Sequence, residues 1–83
     1  MSNLGAIILR VRTERGMSLQ DVADEARLTK AHIWKLEKGR SRNPTVETLL
    51  GIAAALEYSP IKLAAAAFED LPGVYVSKRR GRE

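Results

Sequence analysis

Apolar residues recur at intervals of three and four along most of this chain, which is the spacing of one face of an α-helix. The first such stretch ends at Gly16, which can take the left-handed conformation that stops a helix, and its apolar face carries Leu4, Ile7, Ile8 and Val11. The same pattern predicts five helices, over residues 4–15, 19–26, 30–38, 46–57 and 60–68. The fold is therefore predicted to be all-α, with one compact five-helix domain over residues 1–70.

Hydroxyl side chains precede four of the predicted helices, where they can accept hydrogen bonds from the free N–H groups of the first turn. They are Ser18, Thr29, Thr45 and Ser59. Asp21 follows Ser18 by three residues and completes a capping box with a short acid. Only Arg27 and Leu28 separate the second helix from the cap of the third, so these two short helices are predicted to meet through a very tight turn.

The last two predicted helices differ in how much of their surface is apolar. The inward face of the fourth is predicted to consist of Val46, Leu49, Leu50, Ala53 and Leu56. Gly51 is predicted to face the opposite way, where it costs about 0.5–1 kcal/mol relative to alanine. The fifth is apolar nearly all round, from Ile61 to Phe68. Such a helix favours burial on more than one side, either inside the domain or at a subunit interface.

Residues 71–83 are predicted to form an extension of the domain. Pro72-Gly73 predicts a turn, and the apolar segment 71–76 is a candidate dimer contact, with residues 74–76 as a candidate short strand. The residues after it are predicted to be a disordered basic tail.

Composition narrows the class of protein. The 83 residues are 45% hydrophobic and include no cysteine, which excludes a disulfide framework and a thiolate metal site. No apolar run approaches the ~20 residues that span a bilayer, and no basic region followed by an apolar one begins the sequence. We therefore expect a soluble cytoplasmic protein that has no contact with a membrane.

Positive charge is concentrated in two places. The net charge of +4 is modest, but residues 27–42 hold six basic side chains and a single acid, Glu37. The second cluster lies in the tail and consists of Lys78, Arg79, Arg80 and Arg82. Such clusters favour binding to the phosphate backbone of a nucleic acid, because binding releases counterions. The simpler interpretation is a solvated face for the first cluster and a solubilising tail for the second.

The sequence does not favour an enzyme. His32 is the only histidine, and no glycine-rich phosphate loop is present. Asp24 and Glu25 are neighbours on one predicted helix, so their carboxylates do not converge on a common substrate. We accordingly expect no catalytic residues, no cofactor and no metal ion.

The third predicted helix has two unlike faces. At 100° per residue, Ile33 and Leu36 point to the core, and the opposite face carries Lys30, Ala31, Trp34, Lys35 and Lys38. A lysine-rich face exposed to solvent is ordinary, but an exposed indole among the lysines leaves a large apolar surface in contact with water and therefore needs an explanation. Trp34 either contacts nucleic acid, where lysines reach phosphates or guanine O6 and N7, or packs back onto a neighbouring helix.

A longer pattern of motifs runs through the chain. Its pieces stand in the order Leu4-Gly5, Arg12-x-Glu14-Arg15-Gly16-Met17-Ser18, Val22-Ala23, Ala26-x-Leu28-Thr29, Ile33-x-x-Leu36-Glu37-Lys38-Gly39, Asn43-Pro44-Thr45-x-Glu47-Thr48-Leu49-Leu50 and Ala53-x-x-Leu56. In combination, order and spacing, these pieces resemble the phage-repressor/Cro-like helix-turn-helix family, also called lambda-repressor-like. The resemblance covers residues 4–67 and implies a five-helix domain that binds double-stranded DNA, with helix 3 in the major groove.

The resemblance also implies a role for particular residues. Base contacts would fall on Lys30, Ala31 and Lys35, with Trp34 on the same face. The residues expected at the phosphates are Ser18, Gln20, Thr29, Lys38, Arg40, Ser41, Arg42 and Asn43. The family often pairs an arginine of helix 1 with the glutamate that ends helix 3, which here would be a structural ion pair of Arg12 and Glu37.

Two positions depart from the family pattern. The glutamine that often follows the cap of helix 2 and contacts phosphate is Leu19 here, with Gln20 one residue later as its candidate replacement. The turn usually carries glycine, but this chain has Arg27, which costs roughly 1 kcal/mol if the left-handed conformation is kept.

The leading prediction is a transcriptional regulator, specifically a repressor, that binds a near-palindromic operator as a homodimer and is associated with the nucleoid when bound. An autoregulating antitoxin with a toxin partner, a restriction–modification controller and a phage-type switch would share this sequence pattern. A protein-interaction adaptor that has kept the fold without DNA binding is the alternative from a different class.

Overall fold

A computed structural model describes residues 2–41 and 43–71 of the chain. In these ranges it has five α-helices: α1 (Asn3–Glu14), α2 (Leu19–Ala26), α3 (Lys30–Glu37), α4 (Val46–Leu56) and α5 (Pro60–Glu69). The all-α prediction is confirmed, and each helix ends within one residue of its predicted bounds. The predicted strand at 74–76, the basic tail and Arg42 lie outside the described residues.

Helix starts follow the predicted capping chemistry. The four hydroxyl caps, Ser18, Thr29, Thr45 and Ser59, each accept a hydrogen bond from the backbone N–H three residues later. Asp21 completes the capping box, because its carboxylate accepts from the Ser18 backbone N–H at 2.9 Å. Each helix therefore begins where a side chain satisfies an otherwise free donor, which is information the sequence carries locally.

The helices enclose a single core. α2 packs on α3 and α4, while α1 packs on α3 and α5, and α4 also contacts α5. The largest side chains that are fully buried are Ile8, Val22, Ile33, Leu36, Ile52, Leu56 and Leu63. No helix in the described part of the chain is long and apolar enough to cross a bilayer.

The predicted inward face of α4 was partly wrong. Val46 is 72% exposed and Leu50 52% exposed, whereas Ile52 and Ala55 are buried. The buried stripe follows the spacing 49, 52, 53 and 56, which turns α4 toward both α2 and α5. The α4 sequence has more apolar residues than the neighbouring helices can cover. The apolar pattern alone therefore did not decide which of them would be buried.

Gly51 also differs from its prediction. A Cβ atom at this position would lie 3.1 Å from the carbonyl oxygen of Ala26, which is tighter than ordinary van der Waals contact. Gly51 therefore faces the end of α2 and permits a close approach of the two helices, instead of being a weak point on the outside of α4.

Both ends of the described domain are joined through the start of α1. The Asp70 carboxylate accepts from the Asn3 backbone N–H at 2.8 Å and from the Leu4 N–H at 3.0 Å. These two donors lack partners within their own helix, and the negative charge also lies at the positive end of the α1 dipole. Asp70 thus holds the end of α5 against α1.

We expect Asp70→Ala to lower the free energy of unfolding by about 1–2 kcal/mol, because two charge-assisted hydrogen bonds are lost at a helix N-terminus. Urea denaturation followed by circular dichroism measures the change. Glu69→Ala is the matched control, since among the described residues the Glu69 side chain accepts one hydrogen bond, from the exposed Asn3 amide at 3.5 Å. Equal losses in the two variants would contradict the role given to Asp70.

Candidate nucleic-acid interface

The turn between α2 and α3 sets the angle of α3. Arg27 adopts the left-handed conformation, with φ 62° and ψ 41°, and the Leu28 N–H donates to the Ala23 carbonyl at 2.9 Å. Thr29 then caps α3 directly. Arg27 therefore occupies the backbone conformation for which glycine is usual, as the departure from the family pattern suggested.

Arg27→Gly is expected to raise the free energy of unfolding by about 0.5–1 kcal/mol, because relief of left-handed strain exceeds the extra entropy of glycine in the unfolded chain. For a domain of this size such a gain raises the midpoint of thermal unfolding by about 4 °C. The control is Glu25→Gly in the preceding helical turn, which should destabilise by about 1 kcal/mol. Destabilisation by both substitutions would show that the turn does not strain Arg27.

The C-terminal end of α3 rests on the backbone of α1. A Cβ atom at Gly5 would clash with the carbonyl oxygen of Glu37 and would lie 2.7 Å from that of Leu36. Gly5 is therefore required for the close approach of the two helices at this point. Any residue with a Cβ atom would force α3 to move.

An ion pair fixes the same end of α3. The Arg12 Nε donates to Glu37 Oε2 at 2.7 Å and Nη2 donates to Oε1 at 3.3 Å, while Nη1 donates to the Met17 carbonyl at 3.0 Å. The side chains of Arg12 and Glu37 are only 14% and 5% exposed. Arg12 thus links α1, the segment that leads into α2, and α3, so it positions the helix-turn-helix unit as a whole.

The outward face of α3 carries all four side chains predicted to contact bases. Lys30, Ala31, Trp34 and Lys35 are each exposed, and Lys38 follows at the end of the helix. Trp34 is 39% exposed, and the Arg40 guanidinium lies 5.4 Å from its ring centroid. The indole therefore does not pack into the core, and the guanidinium cation of Arg40 lies over its ring.

Burial of Glu37 changes the electrostatics of this face. The exposed charged residues between Arg27 and Ser41 are all basic: Arg27, Lys30, Lys35, Lys38 and Arg40. Glu37, the only acid in the stretch, is neutralised internally by Arg12. We use the name α3 face for the surface formed by Lys30, Ala31, Trp34, Lys35, Lys38 and Arg40. Its electrostatic potential is positive, which favours an anionic partner.

The residues predicted to contact phosphates differ in their exposure and in the hydrogen bonds that they already make. Ser18 and Thr29 are exposed, but their hydroxyl oxygens already accept hydrogen bonds as helix caps. Gln20 is exposed and donates its amide N–H to Asp24 Oδ1 at 2.8 Å, so it would have to exchange this bond for a phosphate. In the loop after α3, Ser41 is half-buried and Asn43 is exposed.

Two short helices joined by a tight turn, the second with an exposed basic face, define a helix-turn-helix DNA-binding protein. The family model HTH_3, described as helix-turn-helix, matches residues 8–63. The chain belongs to this family of DNA-binding transcriptional regulators, which are not enzymes.

Curated relatives are regulators of the same kind. The chain is 37% identical over 60 residues to the uncharacterized HTH-type transcriptional regulator y4dJ of Sinorhizobium fredii, covering 72% of this chain and 77% of y4dJ. It is 35% identical over 54 residues to SlrR and 30% identical over 56 residues to SinR, both from Bacillus subtilis. These matches cover 65% and 68% of this chain, but only 36% of SlrR and 50% of SinR.

Solved structures show the same fold. The restriction-modification controller protein C.AhdI from Aeromonas hydrophila superposes with a TM-score of 0.68 at 28% identity, covering 74% of this chain and 91% of C.AhdI. The clp gene regulator ClgR from C. glutamicum gives 0.69 at 25% identity, with 86% and 91% covered. A chain of the SinR/SinI protein complex gives 0.70 at 27% identity, with 93% and 75% covered.

Proposed function

We propose that the protein is a repressor that binds a near-palindromic operator in double-stranded DNA as a homodimer, with α3 in the major groove. The observation that carries the proposal is the α3 face, which combines lysines and an exposed indole, with no exposed acid among residues 27–41. Occupation of an operator is sufficient for repression and needs no further surface, which favours a repressor over an activator.

The side chains assigned to base contacts have chemistry that suits the major groove. Lys30 and Lys35 can donate to guanine O6 and N7, and the small Ala31 allows the helix to approach and contact a thymine methyl group. Trp34 offers apolar area to a sugar or a thymine methyl, and Arg40 above its ring adds a cation at the groove edge.

Phosphate contacts would surround this face and position it. Arg40, Ser41, Arg42 and Asn43 belong to the loop after α3, and Lys38 precedes them. Ser18, Gln20 and Thr29 lie at the first turns of α2 and α3, where free N–H groups and helix dipoles attract anions. These contacts would supply most of the salt dependence of binding.

The homodimer follows from the geometry of DNA. Two half-sites one turn apart require two recognition helices about 34 Å apart, which a two-fold symmetric pair of chains provides. In this arrangement residues 1–70 form the DNA-binding domain, and residues 71–83 are an extension that adds a dimer contact and a basic tail. A regulator of this kind acts in the cytoplasm, at the nucleoid when bound.

A restriction–modification controller is the second candidate among regulators, because C.AhdI is itself such a controller and 91% of its length matches this chain. A protein partner is a further part of the proposal, since SinR forms a complex with the protein SinI. An antitoxin role would require a toxin partner, and native purification followed by mass spectrometry would recover it.

Selection from a pool of random duplexes at near-physiological salt tests the proposal. We expect enrichment of a two-fold symmetric site whose half-site centres lie about 10 base pairs apart. Retention without enrichment would mean phosphate-driven binding alone, and no retention at low salt would favour a protein-interaction adaptor. Either result would contradict the proposed function.

A further inference from the structure

The outer side of α4 carries apolar side chains that the domain leaves exposed. Val46 and Leu50 are both more than half exposed, and the exposed Ala54 follows one turn later. The spacing of four residues places all three on one side of the helix, while Leu49 and Leu56 are buried on another side. We use the name α4 strip for Val46, Leu50 and Ala54, which leave an apolar surface in contact with water.

A cleft lies beside the α4 strip, between α4 and the end of α2. Its volume is about 570 Å³, and its walls include the side chains of Leu28, Leu50 and Ala54. Gly51 and Ala26, where the two helices approach most closely, also line it. The volume lies in the range of about 300–1,000 Å³ that is typical of ligand sites, so this α2–α4 cleft can hold an aromatic side chain.

The walls of the cleft carry more negative than positive charge. Glu25 of α2 and Glu47 of α4 both line it, and both are exposed. Neither glutamate takes part in an ion pair with another of the described residues. Arg27 is the basic residue of the lining, so two acids face one base. The chemistry of the cleft therefore suits a segment in which an apolar group is followed by positive charge.

A segment of this chain that lies outside the described residues has this combination. Val74-Tyr75-Val76 is apolar, and after Ser77 it is followed by Lys78, Arg79, Arg80 and Arg82. The apolar group and the basic cluster are thus adjacent in sequence, as the apolar and acidic walls are adjacent in the cleft.

The domain places the start of this segment close to the cleft. Leu71 lines a second, smaller cavity together with Pro44, so the chain leaves α5 beside the loop that leads into α4. Glu47 follows Pro44 by three residues, which is at most about 10 Å of chain. Extended chain from Leu71 to Tyr75 covers about 13 Å, so Tyr75 can reach the cleft. The exposed Val46 lies between Pro44 and Glu47, on the same route.

From these observations we infer that residues 74–80 dock in the α2–α4 cleft of their own domain, with the Tyr75 ring against Leu50 and the basic side chains beside the two cleft carboxylates. Side chains alternate along an extended segment, so Val74 and Val76 point outward and stay available for the dimer contact of the proposed function. The docking itself needs neither DNA nor a second copy.

Docking has a consequence for DNA binding, and only this consequence rests on the proposed function. Basic side chains held by the cleft carboxylates are withheld from phosphates, so their release adds phosphate contacts. Each added contact makes the slope of log K against log salt steeper by about 0.9. We expect Tyr75→Ser to steepen the slope for a random duplex by about 2, and Val74→Ser to leave it unchanged. Equal slopes in the two variants would contradict this consequence.

Nuclear Overhauser effects in the full chain test the docking without DNA. We expect contacts between the Tyr75 ring protons and the methyl groups of Leu28 and Leu50. Tyr75→Ser should also shift the Gly51 amide resonance, whereas the matched control Val74→Ser should leave it in place. A mixture of isotope-labelled and unlabelled chains separates contacts within one chain from contacts between chains. Absence of the ring contacts, or their presence only between chains, would overturn the inference, and the second result would assign the cleft to another copy.

Charge reversal gives a second, independent test. Lys78→Glu with Arg79→Glu should abolish the contact of the Tyr75 ring with the cleft, and so should Glu25→Lys with Glu47→Lys. The fourfold variant should restore it, because opposite charges meet again. Failure to recover, with unfolding midpoints unchanged, would overturn the pairing of charges that the inference requires. A chain that shows the ring contacts but binds no DNA would contradict the proposed function and support the docking.

Discussion

The substitution Arg12→Met is expected to lower the free energy of unfolding by about 3–5 kcal/mol, because it leaves the buried Glu37 carboxylate without its partner. Methionine preserves much of the length of the side chain, so the loss reflects charge and hydrogen bonding more than an empty space. Glu37 is 4% exposed and has little access to water that could replace the guanidinium. The Met17 carbonyl also loses its 3.0 Å donor.

A loss of this size is a large part of the 5–15 kcal/mol that typically stabilises a domain, so the variant should be partly unfolded near 37 °C. Urea denaturation measures it, with Arg10→Met as the control. Arg10 forms an exposed i,i+4 pair with Glu14 at 3.7 Å, and its loss should cost about 0.5 kcal/mol or less. A loss below 1 kcal/mol for Arg12→Met would contradict the structural role of the pair.

The double variant Arg12→Met with Glu37→Leu separates stability from function. Apolar replacement of both partners of a buried ion pair is often neutral or stabilising, so this variant should recover most of the lost stability. If the pair also holds α3 at its angle, DNA affinity should stay below that of the unmodified protein after stability has returned.

The second large effect concerns DNA. Reversal of both lysines on the α3 face, Lys30→Glu with Lys35→Glu, is expected to weaken binding to the selected operator about a thousandfold or more. A homodimer carries four such lysines, each contact of this kind contributes about 1–3 kcal/mol, and the new carboxylates repel phosphate. Both residues are exposed, so the free energy of unfolding should change little, which circular dichroism can verify.

Single substitutions supply the matched control for charge. Lys35→Glu and Arg10→Glu change the net charge equally, but Arg10 lies on the side of α1 away from Gly5 and Arg12, which contact α3. Titration of each variant with operator should show a large loss only for Lys35→Glu. Comparable losses would mean that overall charge, and not the α3 face, determines binding.

The positions of the helices could be predicted because their signals are local. A hydroxyl cap and an apolar period occupy adjacent residues, so Ser18 and Thr29 marked the starts of α2 and α3 without knowledge of the fold. The left-handed conformation of Arg27 was considered only through the resemblance, because the family usually has glycine at this position of the turn. Pairing of Arg12 with Glu37 came only from the resemblance, because the two residues are 25 positions apart.

Long-range packing could not be predicted from the period alone. Val46 and Leu50 are apolar and in phase with the rest of α4, yet the helix turns them outward because α2 and α5 cover another stripe. Gly5 and Gly51 carry no side chain to indicate which neighbour approaches them. The position of Arg40 over Trp34 depends on how α3 ends, so sequence analysis assigned the two residues to DNA without linking them.

Methylation interference on the selected operator tests most directly whether α3 lies in the major groove. Dimethyl sulfate methylates guanine N7 in the major groove and adenine N3 in the minor groove, and both modifications can be scored in one experiment. We expect interference at guanine N7 in each half-site, where Lys30 and Lys35 donate, and relief of one N7 signal per half-site in Lys35→Ala. Interference confined to adenine N3 would place the protein in the minor groove and would contradict the docking of α3 in the major groove.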